Sequence, residues 1–257
     1  MNRIRRWPDQ AVEPSASTPR VKRPFSRGTA QDPVHCTLLA PHHYEPNYAY
    51  PLLVWLHGPG DDEQQLLRIM PHVSLRNYVA VGPRGCSAPE PGTPGFRWRQ
   101  GHAAIDAAER RILDCIDIAS KRYHVAADRV FVGGFQCGGT MALRIGLRCP
   151  DRFAGAFSIG GRFPRNLAPL CQLRRSRQLP ILIAQGRDSL EYPLEVSCRE
   201  LSLFHTASLH VTLRQYPCGD DLTTQMLHDV DQWIMERING VTSQTACRSS
   251  ALPGESN

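Results

Sequence analysis

From residue 34 onward, short apolar runs alternate with amphipathic stretches. The segments 52–57, 155–159 and 181–184 are almost continuously apolar, the pattern of strands covered on both faces. Segments 34–40, 78–81, 129–133 and 211–216 complete seven predicted strands. Between them the apolar period lengthens to that of a helix. Asp61-Asp62-Glu63-Gln64 reads as a capping box opening a helix through Met70. Over 103–122, apolar residues recur at Ile105, Ala108, Ile112, Ile116 and Ala119, with Asp106/Arg110 and Asp117/Lys121 as i,i+4 pairs outside. A further helix begins near Gly139 and stops before Pro150. The last runs over 223–238, with Met226, Val230 and Ile234 on one face, and ends at Asn239-Gly240. Strands alternating with helices predict a mostly parallel sheet with helices on both faces.

Composition sets the boundaries. Residues 1–32 are rich in Pro, Ser, Arg and Gln and poor in apolar positions, so they read as a disordered basic arm. Residues 241–257 read as a flexible tail, which leaves 33–240 as one domain. With 257 residues, 41% of them hydrophobic, the chain can bury a full core. No apolar run is long enough for a membrane span. The basic opening Met1 to Pro8 is followed by no apolar stretch, so no secretory signal is expected. Nine cysteines at irregular spacing show no zinc pattern and fit free thiols in the reducing cytoplasm.

The net charge of +6 comes from the arm (Arg3, Arg5, Arg6, Arg20, Lys22, Arg23, Arg27) and the cluster Arg174, Arg175, Arg177. No recognised nucleic-acid motif accompanies either group, so both read as solvated charge and nucleic acid is not an expected partner. No cofactor or metal is expected. His42-His43 and Asp61-Asp62 lack ligand spacing, and helix capping accounts for Asp61.

The chemistry should sit in residues 129–144: a strand, a glycine-rich turn, then a helix. That is the layout of the nucleophile elbow, where G-x-S-x-G places a serine on a strained turn above the sheet. Gly134 and Gly138 are the two glycines, and Gln136 stands between them.

Five motifs follow one another in the chain. They are Leu56-His57-Gly58-Pro59-Gly60-Asp61-Asp62, Gly134-Phe135-Gln136-Cys137-Gly138-Gly139, and Pro150-Asp151-Arg152-Phe153-Ala154-Gly155. The fourth runs from Gln185-Gly186-Arg187-Asp188-Ser189 through Leu190-Glu191-Tyr192-Pro193, and the fifth is Tyr216-Pro217-Cys218-Gly219-Asp220. In this order they resemble the phospholipase/carboxylesterase family of α/β-hydrolases, which includes the acyl-protein thioesterases. The resemblance covers about residues 34–238 and implies a three-layer α/β-hydrolase fold without a separate lid domain. It also implies a Ser-Asp-His triad, whose positions fall here on Gln136, Ser189 and Asp220. The oxyanion donors of the family fall on Cys137 and on Pro59, which has no N–H.

A carboxamide at Gln136 is no nucleophile, and a carboxylate at Asp220 is too weak a base to activate one. The resulting expectation is a pseudo-hydrolase that binds a small acyl-type ligand or a protein partner without turnover. The alternative is an active ester or thioester hydrolase with Cys137 as nucleophile, although Cys137 lies one position late on the elbow. Asp188 and His228 read as surface charges, His57 as structural support for the loop after its strand, and 164–179 as a surface excursion near the site.

Overall fold

The computed structural model describes residues 34–87 and 95–240; the basic arm and the C-terminal tail expected above lie outside them. The strands are β1 (Cys36–Leu39), β2 (Tyr50–Leu56), β3 (Val79–Pro83), β4 (Cys86–Ser87), β5 (Phe96–Arg97), β6 (Val125–Phe135), β7 (Gly155–Ile159), β8 (Ile181–Gly186) and β9 (Val211–Tyr216). The helices are α1 (Gln65–Val73), α2 (His102–Arg122), α3 (Cys137–Arg148), the single turn α4 (Leu173–Ser176), α5 (Leu194–Ala207) and α6 (Thr224–Ile238). Seven strands form one sheet in the order β1-β3-β2-β6-β7-β8-β9, with β4 and β5 paired as a separate small ribbon. Only β1 runs antiparallel to its neighbour in the large sheet; every other pair there is parallel.

The strand sequences explain the layers. Side chains alternate across a strand, and β2 is apolar at every position. Its Tyr50, Leu52, Val54 and Leu56 therefore face one core, and Leu53 and Trp55 face the other. In β8, Ile181 and Ile183 join the first core, and Leu182 and Ala184 the second. Helices α2, α3 and α5 contribute to the first core, and α1 and α6 to the second. This is the three-layer α/β-hydrolase arrangement. Among the described residues no inserted domain interrupts it, and no helix is long and apolar enough to cross a membrane.

Three local expectations change. The helix opened by Asp61-Asp62 starts only at Gln65: Asp62 accepts the amide of Gln64 (2.8 Å), while Asp61 takes Asp62 N (2.9 Å) and the Arg68 guanidinium. The acids build a turn ahead of the helix, and no capping box forms. Asp106 is met by Arg148 of α3 at 2.7 Å, because this part of α2 lies beside α3. Helix α5 was not apparent in the sequence. Its buried face mixes Val196 and Phe204 with Ser197 and Glu200, and Leu201 and Leu203 are exposed, so the apolar period is lost. By contrast, α6 opens as expected, with Thr223 Oγ1 accepting Met226 N at 3.3 Å. It ends at Asn239, followed by Gly240 with φ 70°.

Candidate functional site

The turn between β6 and α3 holds Gln136 at φ 46°, ψ −114°, a backbone conformation costly for any residue but glycine. It is locked from both sides: Gln136 N donates to Ile159 O (2.8 Å), and Gln136 O accepts Thr140 N (2.9 Å). The flanking glycines are required by close approach. A Cβ on Gly134 would lie 2.3 Å from Leu56 O, and one on Gly138 would lie 2.3 Å from the same oxygen and 2.4 Å from His57 O. The end of β2 thus presses directly on the elbow, and no side chain fits between them.

The loops after β8 and β9 bring the other two positions together. Ser189, 5% exposed, donates its hydroxyl to the Asp220 carboxylate, and its oxygen accepts Tyr192 N at 2.8 Å. Asp220 also accepts Leu190 N (3.1 Å, Oδ2) and Glu191 N (3.2 Å, Oδ1). Gln136 reaches the same residue, donating from Nε2 to the backbone carbonyl of Asp220 at 3.2 Å. Gln136, Ser189 and Asp220 therefore meet, with Asp220 as hub and its carboxylate turned to the 189–191 loop. Asp188 lies outside this set, with a side chain 71% exposed, 4.0 Å from Arg187. His228 has a side chain 75% exposed and lies beside Asp229.

On the β2 side, Pro59 occupies the turn after the strand, and the neighbouring amides are engaged: Gly60 N donates to Phe96 O (3.0 Å) and Asp61 N to Gly58 O (3.4 Å). His57 supports this turn. Its Nδ1 bonds Gly58 O at 2.7 Å and its Nε2 accepts Gly85 N at 2.9 Å, which requires the neutral ring with the proton on Nδ1. Burial lowers the His57 pKa, in keeping with that tautomer. Gln65 is an organiser that the sequence did not reveal. Its Oε1 accepts Trp55 Nε1 (2.8 Å) and Gly58 N (3.1 Å), and its Nε2 donates to Asp61 (2.9 Å).

A cleft of about 340 Å³ opens beside the elbow at the carboxyl ends of β6 and β7, where open α/β sheets hold ligands. Gln136, Cys137, Thr140, Arg144, Arg162 and Glu191 are among the residues lining it. Cys137 is half-buried, and that burial pushes its thiol pKa up, with a smaller opposing pull from a bond to the Trp98 backbone. Arg144, on α3, is only 3% exposed. Its Nε donates to Gln100 Oε1 (2.8 Å), Nη1 to Asn166 O (3.0 Å) and Nη2 to Arg165 O (2.7 Å). The sequence carried one overlooked signal for it, a lone arginine between Leu143 and Ile145 in the apolar stretch of α3. Among the described residues no group of three or more His, Cys, Asp or Glu side chains is arranged to hold a metal.

A parallel sheet between two helical layers, with a strained strand-turn-helix at its centre and a cleft beside it, defines an α/β-hydrolase domain. Residues 45–238 match the model of the Phospholipase/Carboxylesterase family, and the chain belongs to that family. It is 31% identical over 144 residues to the esterase candidate NocK of Nocardia uniformis subsp. tsuyamanensis, of whose length the match spans only 39%. It is also 24% identical over 217 residues to the probable carboxylesterase SOBER1-like of Arabidopsis thaliana, covering 75% of this chain and 81% of that protein. The crystal structure of Zea mays acyl-protein thioesterase 2 superposes with a TM-score of 0.65 at 16% identity, covering 79% of this chain and 99% of that one. At that identity the superposition speaks for the fold.

Proposed function

We propose that this family member is a non-catalytic hydrolase-fold protein that binds a small ligand in the cleft beside the elbow. The observation that carries the reading is the closed hydrogen-bond set around Asp220. Where the family resemblance puts serine, aspartate and histidine, the Ser189 hydroxyl donates to the Asp220 carboxylate and the Gln136 carboxamide donates to the Asp220 backbone carbonyl. None of the three is an activated nucleophile, and no imidazole is among them. Pro59 at the expected oxyanion position adds an independent loss, since one missing donor typically costs about 3–4 kcal/mol of transition-state stabilisation. A protein partner seated over the cleft is the other form this binding role can take. Its setting in this reading is the cytoplasm, where its cysteines stay reduced.

Cys137 lines the cleft and is the residue through which an ester or thioester hydrolase could still operate. Its raised thiol pKa argues against that role, because the thiolate is the nucleophile. The test is turnover of p-nitrophenyl acetate and of an acyl thioester by the purified chain beside Cys137→Ala, together with fluorophosphonate labelling. No turnover and no serine labelling is expected. Turnover that vanishes in Cys137→Ala would replace this reading with the cysteine hydrolase.

A further inference from the structure

We infer that the cleft takes a small anion presenting carboxylate or phosphate oxygens, held by Arg144, Arg162 and the side-chain amide of Gln100. The inference rests on the cleft being a binding site, as proposed above, and supplies the ligand's chemical class.

The first observation is the state of Arg144. It is almost fully buried, and its three acceptors are a side-chain amide and two backbone carbonyls. Among the described residues it has no carboxylate within ion-pair distance. Buried charges are normally paired with an opposite charge, because an unpaired one loses its hydration without return. Burial accordingly pulls the Arg144 pKa below the ordinary arginine value. A guanidinium carries five N–H donors, and its planar fork matches a carboxylate or phosphate.

The second observation is independent. Gln100 has its amide orientation fixed by the bond that its Oε1 accepts from Arg144. That leaves Nε2 as a buried donor without an acceptor, on a side chain that lines the same cleft. An unsatisfied buried donor costs about 1–3 kcal/mol, and an anion oxygen would satisfy it.

The rim adds a third feature. Arg162 is anchored by its Nε to the backbone carbonyl of Glu191, so that bond leaves its charge unneutralised. Arg165 is paired with Glu200 at 3.2 Å and adds little. Against Arg144 and Arg162 stands the single lining carboxylate of Glu191, so the cleft keeps a positive balance. Its volume of about 340 Å³ lies at the small end of ligand pockets. A neutral ester carbonyl can accept from the orphan amide but brings no negative charge to the guanidinium, so the buried charge selects the anion.

The test is titration calorimetry of the full chain with inorganic phosphate, succinate and, as the neutral control, dimethyl succinate, all at one ionic strength. Saturable binding of at least one anion, tenfold or more tighter than the neutral diester, is expected, and the preferred anion identifies the head group. Because Arg144→Gln removes a buried charge and can unfold the chain, the exposed Arg162→Gln and the half-buried Gln100→Leu are tested beside it. Each should weaken the anion at least fivefold while circular dichroism stays unchanged. Equal binding of all three probes, no saturation by either anion, or anion binding unmoved in both variants would overturn the inference; the last would place the anion elsewhere on the chain. Ester turnover by the parent would remove the non-catalytic reading and leave anion binding standing. Absent anion binding in a chain with no turnover would remove this inference alone.

Discussion

The hydroxyl of Ser189 donates to the carboxylate of Asp220 while the same oxygen receives the amide of Tyr192, so a single serine links two loops that are 31 residues apart in sequence. With Leu190 N and Glu191 N also directed at Asp220, this carboxylate serves as the anchor of the loop after β8. Asp220→Ala should therefore lower stability by at least about 1.5–3 kcal/mol, the worth of a single hydrogen bond to a charged group, since three donors converge on this carboxylate. Ser189→Ala should cost about 1–2 kcal/mol by leaving Tyr192 N without its acceptor. Urea unfolding with unchanged m-values measures both. Two variants as stable as the parent would show that the loop is held by something else.

His57 gives the fold a pH dependence of definite sign. Burial, the chief cause, lowers its pKa below the ordinary 6.5, so the unfolded chain binds a proton that the folded chain refuses. The stability is fully present above the unfolded value and is lost as pH falls through and below it, by up to about 1.4 kcal/mol for each pH unit. Glu63 acts in a separate, lower window. Burial alone would raise its pKa, but the bonds from Arg84 prevail and lower it, so its contribution is lost only as pH falls below about 4.5. Unfolding free energies at pH 7.5, 6.5 and 5.5 should fall in that order, and His57→Gln should remove the slope between the last two. A parent curve flat across this range would contradict the neutral, Nδ1-protonated ring.

Cys137 should behave as an ordinary or sluggish thiol. Its burial raises the pKa, and the loop around Asp220 offers it no imidazole. The rate of iodoacetamide modification at Cys137, followed by peptide mass spectrometry to separate it from exposed Cys171 and Cys198, should rise only above the usual cysteine value of about 8.5. A plateau reached near neutral pH would signal an activating base and promote the cysteine hydrolase.

The sheet was legible in the sequence because almost continuously apolar strands such as 155–159 are covered on both faces, and because glycines mark the turn where β2 and α3 touch. What lay hidden has a common physical cause: buried polarity. Helix α5 hides its face behind Ser197 and Glu200. Gln65 looks like a surface residue until Trp55 and Gly58 are placed around it. The buried cation of the cleft was hidden for the same reason. Arg144 sits within an apolar helix face, and its partners Gln100, Arg165 and Asn166 come from two other segments that only the fold brings together. The meeting of Gln136, Ser189 and Asp220 could be expected from motif order, but not the direction of the Asp220 carboxylate, which depends on the loop it holds.

That direction bears on whether hydrolysis can be built into the scaffold. Gln136→Ser alone should give almost nothing, because triad members act as a unit and a lone hydroxyl has no base. Adding Asp220→His supplies the base, and Ser189→Asp supplies the carboxylate to orient it. Each exchange breaks the hydroxyl–carboxylate contact between the two, and losing the Asp220 carboxylate also frees the amides of Leu190 and Glu191. Pro59→Leu then restores a backbone N–H beside the elbow and should raise turnover roughly 100-fold or more over the triple variant. The elbow backbone needs no change: Gln136 already holds the positive φ, and Gly134 and Gly138 already admit the end of β2. The four nested variants are compared for p-nitrophenyl acetate turnover, with stability followed in parallel because the Asp220 anchor has been removed. Turnover appearing only in the triple variant and rising in the quadruple would mean that substitution alone separates this chain from a working hydrolase. A quadruple variant that folds yet stays as inactive as the parent would mean that the arginine-lined cleft no longer admits an ester, and that binding rather than catalysis has shaped it.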